Sequence, residues 1–241
     1  MTLDFSIFNS LKDIREITKI WINGYNAQMP RGTRRLQPPD YLMQKDGMKI
    51  FASSNEFQNE MFCNVNLEKQ KITEKLFFDC EFRNCNFSYT DFGSTLFEDC
   101  SFFNCNFSLS KIRRTQIRGV LFNGCKIMGI DFTKCDTLMI DLSITACSIK
   151  SCIFSDLPLK KAIFCKSDLI ECDFVNTDLS ETNLSDSDFS GSLFHHTNLF
   201  KANLTNCINY DIDPLKNNIK KAVFSLPEAL TLLNAFDIII Q

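Results

Sequence analysis

Residues 167–192 read SDLIECDFVNTDLSETNLSDSDFSGS, and a large apolar residue occurs at every fifth position of this stretch. These residues are Leu169, Phe174, Leu179, Leu184 and Phe189. Neither the 3.6-residue period of an amphipathic helix nor the two-residue period of a half-buried strand accounts for this spacing. The stretch therefore belongs to a repeat whose unit has five residues, which we call a pentad.

The same five-residue period extends over most of the 241-residue chain. We call the recurring apolar residue of each pentad its centre position. A first run has centre positions at Phe57, Phe62, Leu67, Ile72, Phe77, Phe82, Phe87, Phe92, Phe97, Phe102, Phe107, Ile112, Ile117, Phe122, Ile127, Phe132, Thr137 and Leu142. The frame then shifts by two residues within 143–148, and a second run follows with centres at Ile149, Phe154, Leu159, Phe164, Leu169, Phe174, Leu179, Leu184, Phe189, Phe194, Leu199 and Leu204. Only Thr137 departs from the apolar pattern.

Two further positions of the pentad are also selective. Two residues before the centre lies the small position, which in the second run is occupied by Cys147, Cys152, Leu157, Ala162, Ser167, Cys172, Thr177, Thr182, Ser187, Ser192, Thr197 and Ala202. Between the small position and the centre lies the cap position, where Asp or Asn is frequent, as at Asn86, Asp91, Asn106, Asp168, Asp173, Asp178, Asn183, Asp188, Asn198 and Asn203. The remaining two residues of each pentad, the outer positions, vary freely.

These residues resemble the pentapeptide-repeat family, whose unit is written A(D/N)LXX. The stretches CNFSYTDFGST at 85–95 and TNLFKANLTN at 197–206 carry the same pattern as 167–192. The resemblance implies an all-β fold, a right-handed quadrilateral β-helix in which each pentad forms one side of a square and four pentads form one coil. Coils stacked at strand spacing would give a rod about 36 Å long.

Cysteine usage agrees with such an interior. Ten of the 12 cysteines lie at or in frame with the small position, and only Cys63 and Cys165 lie elsewhere. A free cysteine behaves as a small buried hydrophobe, so we interpret these residues as core filler. Zinc is the alternative, but Cys85, Cys105 and Cys125 would stack in one column rather than converge tetrahedrally. Disulfides along the column remain open at this stage, although abundant unpaired cysteine favours a reducing, cytoplasmic location.

The sequence contains no recognisable catalytic constellation. Nucleotide-binding, zinc-protease and serine-hydrolase motifs are absent, and the two histidines, His195 and His196, have no partners placed by spacing. We therefore expect no enzyme activity, no cofactor and no metal. The net charge of −3 argues against direct nucleic-acid binding, and no apolar stretch is long enough for a membrane span.

The two ends of the chain lack the repeat, so we predict three parts, 1–50, 51–208 and 209–241. The first part is expected to contain a helix over roughly 6–22 and a basic linker from Pro30 to Pro39, and to cap the rod or dock a partner. In the last part, Ser225 and Glu228 suggest a capping box before a short apolar helix, followed by a strand over 238–240. Some Qnr and MfpA proteins of the family join two rods through such an end. The resemblance thus implies a homodimer formed by Leu226, Leu230, Leu233, Phe236, Ile238 and Ile240.

The surface charge carries the functional hypothesis. Seven acids and no base occur between Asp168 and Asp188: Asp168, Glu171, Asp173, Asp178, Glu181, Asp186 and Asp188. In the Qnr and MfpA group, acids on the rod mimic DNA phosphates, occupy the DNA-binding surface of DNA gyrase or topoisomerase IV, and can protect the enzyme from quinolones. The resemblance implies this partner.

Two alternatives remain. In the first, the acids at cap positions serve backbone hydrogen bonds and the acids at outer positions pair with bases one coil away. Glu181 could pair with Lys161 or Lys201, and Asp186 could pair with Lys166. Only Glu171 would then be unexplained. The rival function is a bacterial protein–protein interaction scaffold or a host-directed effector. Residues 111–118 form an opposite, basic stretch with Lys111, Arg113, Arg114 and Arg118.

Overall fold

The computed structural model describes residues 51–238, and the predicted helix at 6–22 and the basic linker lie outside them. The chain forms a right-handed quadrilateral β-helix built from very short parallel strands, as the sequence predicted. The strands are β1 (Glu56–Gln58), β2 (Met61–Cys63), β3 (Leu76–Phe78), β4 (Glu81–Arg83), β5 (Leu96–Glu98), β6 (Ser101–Phe103), β7 (Gln116–Arg118), β8 (Val120–Asn123), β9 (Lys126–Met128), β10 (Leu142–Thr145), β11 (Ser148–Lys150), β12 (Ile163–Cys165), β13 (Asp168–Ile170), β14 (Leu193–Phe194), β15 (Asn203–Leu204), β16 (Asp211–Ile212) and β17 (Val223–Phe224).

The strands stack into four walls, one for each side of the square. Wall 1 holds β1, β3, β5 and β7; wall 2 holds β2, β4, β6, β8, β10, β12, β15 and β17; wall 3 holds β9, β11 and β13; wall 4 holds β14 and β16. Along most of the rod each residue lies in register with its counterpart four pentads later, as Phe57 does with Phe77 and Phe77 with Phe97. One coil is therefore four pentads, and the three predicted parts of the chain remain predictions.

The centre positions fill the axis of the rod. Every predicted centre except Thr137 is buried. Phenylalanines of one wall stack face to face, so that Phe62, Phe82, Phe102 and Phe122 have consecutive ring centroids 4.9, 4.7 and 5.2 Å apart. Rings of adjacent walls meet edge to face, as Phe82 and Phe97 do at 6.3 Å. Both arrangements suit the aromatic quadrupole, which explains why one aromatic residue dominates the composition.

The small positions join consecutive coils. The hydroxyl of Thr90 donates to the carbonyl of Leu67 at 2.7 Å, and the hydroxyl of Thr177 donates to the carbonyl of Phe154 at 2.8 Å. A buried hydroxyl is thereby satisfied by the preceding coil, which keeps the cost of burying it low. Asn217 is also buried at a small position, where its amide donates to the carbonyl of Phe194 at 3.2 Å, so hydrogen bonding to the preceding coil as well as small size governs this position.

Cysteine forms a column at the small positions of wall 3. The backbone N–H of Cys85 donates to Sγ of Cys105 at 3.4 Å, that of Cys105 to Sγ of Cys125 at 3.4 Å, and that of Cys125 to Sγ of Cys147 at 3.3 Å. All 12 cysteines are free thiols, so the disulfides left open by the sequence do not form in this structure. Burial raises the pKa of the Cys152 thiol to about 11, which keeps it protonated.

The corners of the square depend on the cap position and on the second outer position. At the cap, Asp91 Oδ1 accepts the N–H of Gly93 at 3.0 Å, and Asn86 Oδ1 accepts the N–H of Ser88 at 3.1 Å. The second outer residue has a left-handed backbone at most corners, for example Asn84 with φ of 52°. Asn and Asp tolerate this conformation, but Leu109 also adopts it, with φ of 59°. The square geometry therefore overrides the preference of individual residues.

The frame shift lies earlier than the sequence predicted. Asp136 is in register with Gln116, one coil of four pentads earlier, whereas Leu142 is in register with Val120 rather than with Phe122. The additional residues are therefore accommodated within 137–140, and the prediction of 143–148 is wrong. Leu142 occupies a small position, and Ile144 is the centre that pairs with Phe122. The misassignment arose because both residues are apolar and, lying two apart on a strand, face the same side.

The C-terminal helix differs in kind from the prediction. Besides the single-turn 3₁₀ helix η1 (Phe132–Lys134), the structure has a 3₁₀ helix η2 (Glu228–Phe236), which has no side-chain cap. The predicted capping box is wrong, because Ser225 Oγ accepts the N–H of Asn206 at 3.1 Å. Leu232 packs partly against the core and covers the last coil. Ile238 lies outside any strand, and residues 239–241 are not among those described.

Candidate functional site

The seven predicted acids form a belt around the rod rather than a strip along it. Residues 168–188 span one complete coil, so successive acids lie on successive walls and corners. Asp168 and Asp188 are in register on wall 3, one coil apart. We call Asp168, Glu171, Asp173, Asp178, Glu181, Asp186 and Asp188 the acidic belt. The structure brings them to one level of the rod but not to a single face.

Three belt residues at cap positions hold the corners. Asp173 Oδ1 accepts the N–H of Val175 at 2.9 Å, and Asp178 Oδ1 accepts the N–H of Ser180 at 3.0 Å. Asp188 Oδ1 accepts the N–H of Ser190 at 2.9 Å and its hydroxyl at 2.7 Å. These bonds explain why a short acceptor such as Asp occurs at these positions, in agreement with the alternative that acids at cap positions serve backbone hydrogen bonds. They use an acceptor atom, and an Asn amide oxygen would provide it equally well.

The pKa of Asp188 reflects two opposing effects. Partial burial of the carboxyl group acts to raise its pKa, but the hydrogen bonds from Ser190 and from the amide of Asn209 outweigh burial, and the pKa lies below its usual range. The group therefore stays ionised at neutral pH. Its negative charge is held in place by neutral donors.

The two glutamates of the belt are compensated by lysines. Glu181 lies 3.3 Å from Nζ of Lys160 and 3.9 Å from Nζ of Lys161, so the predicted pair with Lys161 is confirmed and Lys160 adds to it. Glu171, which the spacing left unexplained, lies 3.9 Å from Nζ of Lys150 and accepts the hydroxyl of Ser151 at 2.9 Å. This lysine was missed because Ser151, and not Lys150, is the residue one coil before Glu171.

The five aspartates of the belt have no such compensation. Asp186 Oδ1 accepts the side-chain amide of Asn206 at 3.0 Å instead of pairing with Lys166, so that prediction is wrong. Asp168 is exposed on β13. Within residues 51–238, no lysine or arginine nitrogen lies within 4 Å of Asp168, Asp173, Asp178, Asp186 or Asp188. The belt thus carries five uncompensated negative charges in one coil.

The predicted dimerisation residues form an apolar surface at the end of the rod. Leu226 is 76% exposed, Leu230 44%, Phe236 50% and Ile238 54%. Leu233 is half-buried, and Ile240 lies outside the described residues. Exposed apolar side chains in such a group are typical of an interaction surface.

A second exposed apolar feature was missed by the sequence analysis. The frame shift forms a bulge in which Leu138 is 90% exposed and Met139 64% exposed, while Ile140 turns into the core. Asp136 Oδ1 accepts the N–H of Leu138 at 3.2 Å and supports the turn. The apolar run TLMI at 137–140 could have indicated the bulge. It was overlooked because Leu142 was assigned as a centre, which placed the frame shift after residue 142.

Chemistry-bearing residues do not gather elsewhere in the region the structure covers. No group of three His, Cys, Asp or Glu side chains suited to a metal ion occurs between residues 51 and 238. His195 and His196 are neighbours with ring centroids 4.0 Å apart at the surface of wall 4. Among the described helices, none is long and apolar enough to cross a membrane.

Comparisons with known proteins identify the family. No curated protein matches the chain. A trypsin-treated variant of QnrB1, described as a plasmid-mediated fluoroquinolone resistance protein, matches 77% of this chain and 97% of its own with 21% identity and a TM-score of 0.52. HetL, a pentapeptide repeat protein involved in heterocyst differentiation regulation from the cyanobacterium Nostoc sp. strain PCC 7120, matches 73% of this chain and 92% of its own with 15% identity and a TM-score of 0.46. The family model of the pentapeptide repeat region matches residues 75–143 and 142–208, more than half of the sequence, and the chain therefore belongs to the pentapeptide-repeat family.

Proposed function

We propose that this protein is a non-enzymatic binder that places its acidic belt against the basic DNA-binding surface of a type II topoisomerase, such as DNA gyrase or topoisomerase IV. Bound there, it would compete with DNA and could protect the enzyme from quinolones. QnrB1, which shares the fold, is described as a fluoroquinolone resistance protein. At 21% identity this likeness supports the fold alone, so the proposal rests on the surface of this chain.

The observation that carries the proposal is the set of five uncompensated aspartates within one coil. A rod that presents carboxylates on successive walls offers negative charge around its circumference, as a duplex offers phosphates. Complementary charge raises the rate of association and suppresses wrong partners. The interaction should weaken as salt rises, because these side chains are exposed or half-buried and screening reaches them.

The second candidate function is a scaffold that binds another protein without mimicking DNA. The lysine partners of Glu171 and Glu181 favour it, because they reduce the charge of the belt. The exposed apolar bulge at Leu138 and Met139 also favours it, since DNA mimicry has no need of an apolar contact.

The test is a supercoiling assay of DNA gyrase with the purified protein, with and without ciprofloxacin. The variant Asp173→Asn/Asp178→Asn removes two charges and retains the acceptor oxygens that hold the corners. We expect inhibition or protection by the parent protein and a loss of about tenfold in potency for the variant. Raising the salt concentration should reduce the potency of the parent more than that of the variant.

The matched control is Asp91→Asn/Asp131→Asn. These residues also cap corners, through Gly93 and Thr133, but they lie outside the belt. This control should retain the activity of the parent. Absence of both inhibition and protection by the folded parent would reject the topoisomerase as partner, and equal losses in the two variants would reject the belt as the binding surface.

The apolar end of the rod completes the proposal. We expect two copies to associate through Leu226, Leu230, Leu233, Phe236 and Ile238, since burying several large, partly exposed side chains is favourable. A dimer would present two belts related by symmetry. Such an arrangement doubles the charge offered to a partner that is itself two-fold symmetric.

A further inference from the structure

A group of basic residues on wall 4 has no role in the proposed function. Lys111, Arg113 and Arg114 belong to one pentad of this wall and are all exposed. Lys126 is exposed on the neighbouring wall 3, where it is in register with Asn106. The first three residues therefore lie on wall 4, and Lys126 lies on the other side of the corner between walls 3 and 4. We call the four the basic patch.

Asp91 and Asp131, two cap aspartates of wall 4 beside the patch, form no ion pair with it. Asp91 is in register with Lys111, but its Oδ1 accepts the N–H of Gly93 at 3.0 Å. Asp131 Oδ1 accepts the N–H of Thr133 at 3.0 Å, and its Oδ2 lies 3.4 Å from Nζ of Lys134. Within residues 51–238, no carboxylate oxygen lies within 4 Å of Lys111, Arg113, Arg114 or Lys126.

Apolar side chains stand at the corner between walls 3 and 4, beside the patch. Leu109 is 41% exposed, and Tyr89, one coil before it, is 49% exposed. Leu109 lies over Gly129 of the next coil so closely that a Cβ at Gly129 would be 2.6 Å from its Cδ2. The corner therefore offers a firm apolar contact next to long cationic side chains, a combination that suits a partner with both acidic and apolar groups.

The size of the patch disfavours a nucleic acid. The affinity of a protein for DNA depends on how many phosphates its lysines and arginines neutralise, and the four cations of the patch can neutralise only about four. In the same column as Lys111, three coils further along, lies Asp173 of the acidic belt, at about 14 Å for coils spaced as strands. An extended polyanion would approach the belt and be repelled, whereas a short acidic segment would fit within the patch.

We infer that the basic patch, together with Tyr89 and Leu109, binds a short acidic peptide segment of a partner protein that also carries an apolar side chain. The guanidinium groups of Arg113 and Arg114 can each engage a carboxylate through two parallel hydrogen bonds. The apolar residue of the segment packs on Leu109. This site is separate from the acidic belt and has the opposite charge, so the two surfaces bind different partners.

The experiment is fluorescence anisotropy of the full chain with a short fluorescein-labelled peptide composed of Asp, Glu and Leu. The variant Arg113→Glu/Arg114→Glu reverses two charges of the patch, and Leu109→Ser removes the apolar contact. The control Lys220→Glu/Lys221→Glu reverses two exposed charges at a distant position. We expect the patch variant to bind at least about tenfold more weakly, Leu109→Ser to bind about threefold more weakly, and the control to bind like the parent. Circular dichroism checks that each variant is folded.

Four outcomes would overturn the inference. The first is the absence of peptide binding by the folded parent up to about 1 mM peptide. The second is an equal loss in the patch variant and the control. The third is tighter binding of a labelled single-stranded oligonucleotide than of the peptide. The fourth is self-association at low salt, seen by sedimentation and lost in the patch variant, which would show that the patch binds the acidic belt of a second copy.

Discussion

Phe102 provides a direct test of the interior. It is 1% exposed, and its ring is stacked between Phe82 and Phe122, with centroids 4.7 and 5.2 Å away. Its edges meet Phe97 and Phe107 at 5.4 and 5.0 Å. The next residue, Phe103, points outwards from the same strand.

The expected losses follow from these contacts. Phe102→Ala should lower the free energy of unfolding by about 3–5 kcal/mol, since it removes a fully buried ring and leaves a cavity in a narrow tube. Phe102→Leu keeps much of the volume and loses two stacked pairs, each of which contributes about 0.5–1.5 kcal/mol, so it should cost about 1–3 kcal/mol. Phe103→Ala is the matched control. Its half-buried ring lies 4.7 Å from the guanidinium of Arg83, and its loss should cost about 0.5–1 kcal/mol.

The assay is denaturation by guanidinium chloride, followed by far-ultraviolet circular dichroism. The midpoints of the four proteins can be compared as free energies where the slopes of the transitions agree. A loss in Phe103→Ala equal to or greater than that in Phe102→Ala would refute the inward orientation of the centre positions. A loss below about 1 kcal/mol in Phe102→Ala would show that the coils relax into the cavity.

Three other predictions address the cap, the thiols and the end of the rod. Asn86→Ala should lower the free energy of unfolding by about 1–2 kcal/mol in the same denaturation assay, because Asn86 accepts from Ser88 and links Asn66 to Asn106. Asn86→Asp retains the acceptor oxygen and should cost less. Of the 12 thiols, only that of Cys165 is not buried, so a chromogenic disulfide should titrate one thiol quickly in the folded protein and the rest only on denaturation; rapid reaction of several thiols would contradict the burial. Phe236→Ser/Ile238→Ser should convert a dimer to a monomer in sedimentation equilibrium, and a parent protein that is monomeric at all concentrations would refute the proposed association.

The pentad pattern was sufficient to predict the fold, because one large and one small side chain per side is a requirement that few architectures share. The inward direction of the centre positions and the stacking of Cys85, Cys105 and Cys125 both followed from it. The pattern could not locate the frame shift, since Leu142 and Ile144 satisfy it equally well. Periodicity specifies which side a residue faces and leaves open which of two adjacent inward residues is the centre.

The surface was less predictable than the interior. Strict coil spacing identified Lys161 as a partner of Glu181, but Lys150 reaches Glu171 from one position outside that spacing. A lysine side chain is long enough to reach a neighbouring column, so strict coil spacing underestimates ion pairs. The C-terminal helix was recognised from its apolar residues. The pattern did not distinguish 3₁₀ from α geometry, and the use of Ser225 by Asn206 rather than by the helix is a contact with the last coil that no local pattern contains.

The chemistry of the cap position bears on whether the fold alone explains the charge of the acidic belt. Asp and Asn can both hold a corner through their Oδ1 atoms. On wall 3 the cap is Asn at Asn86 and Asn106, and it is Asp further along the same column, at Asp168 and Asp188. The fold therefore accounts for a short acceptor at each cap but not for its charge. From Asp168 to Asp188 four of five caps are Asp, and each could be Asn at no cost to the corner. Choosing the charged residue concentrates repulsion within one coil, where like charges are unfavourable. The corner needs the acceptor but not the charge, so a concentration of charged caps within one coil is the kind of feature that a basic partner would recognise.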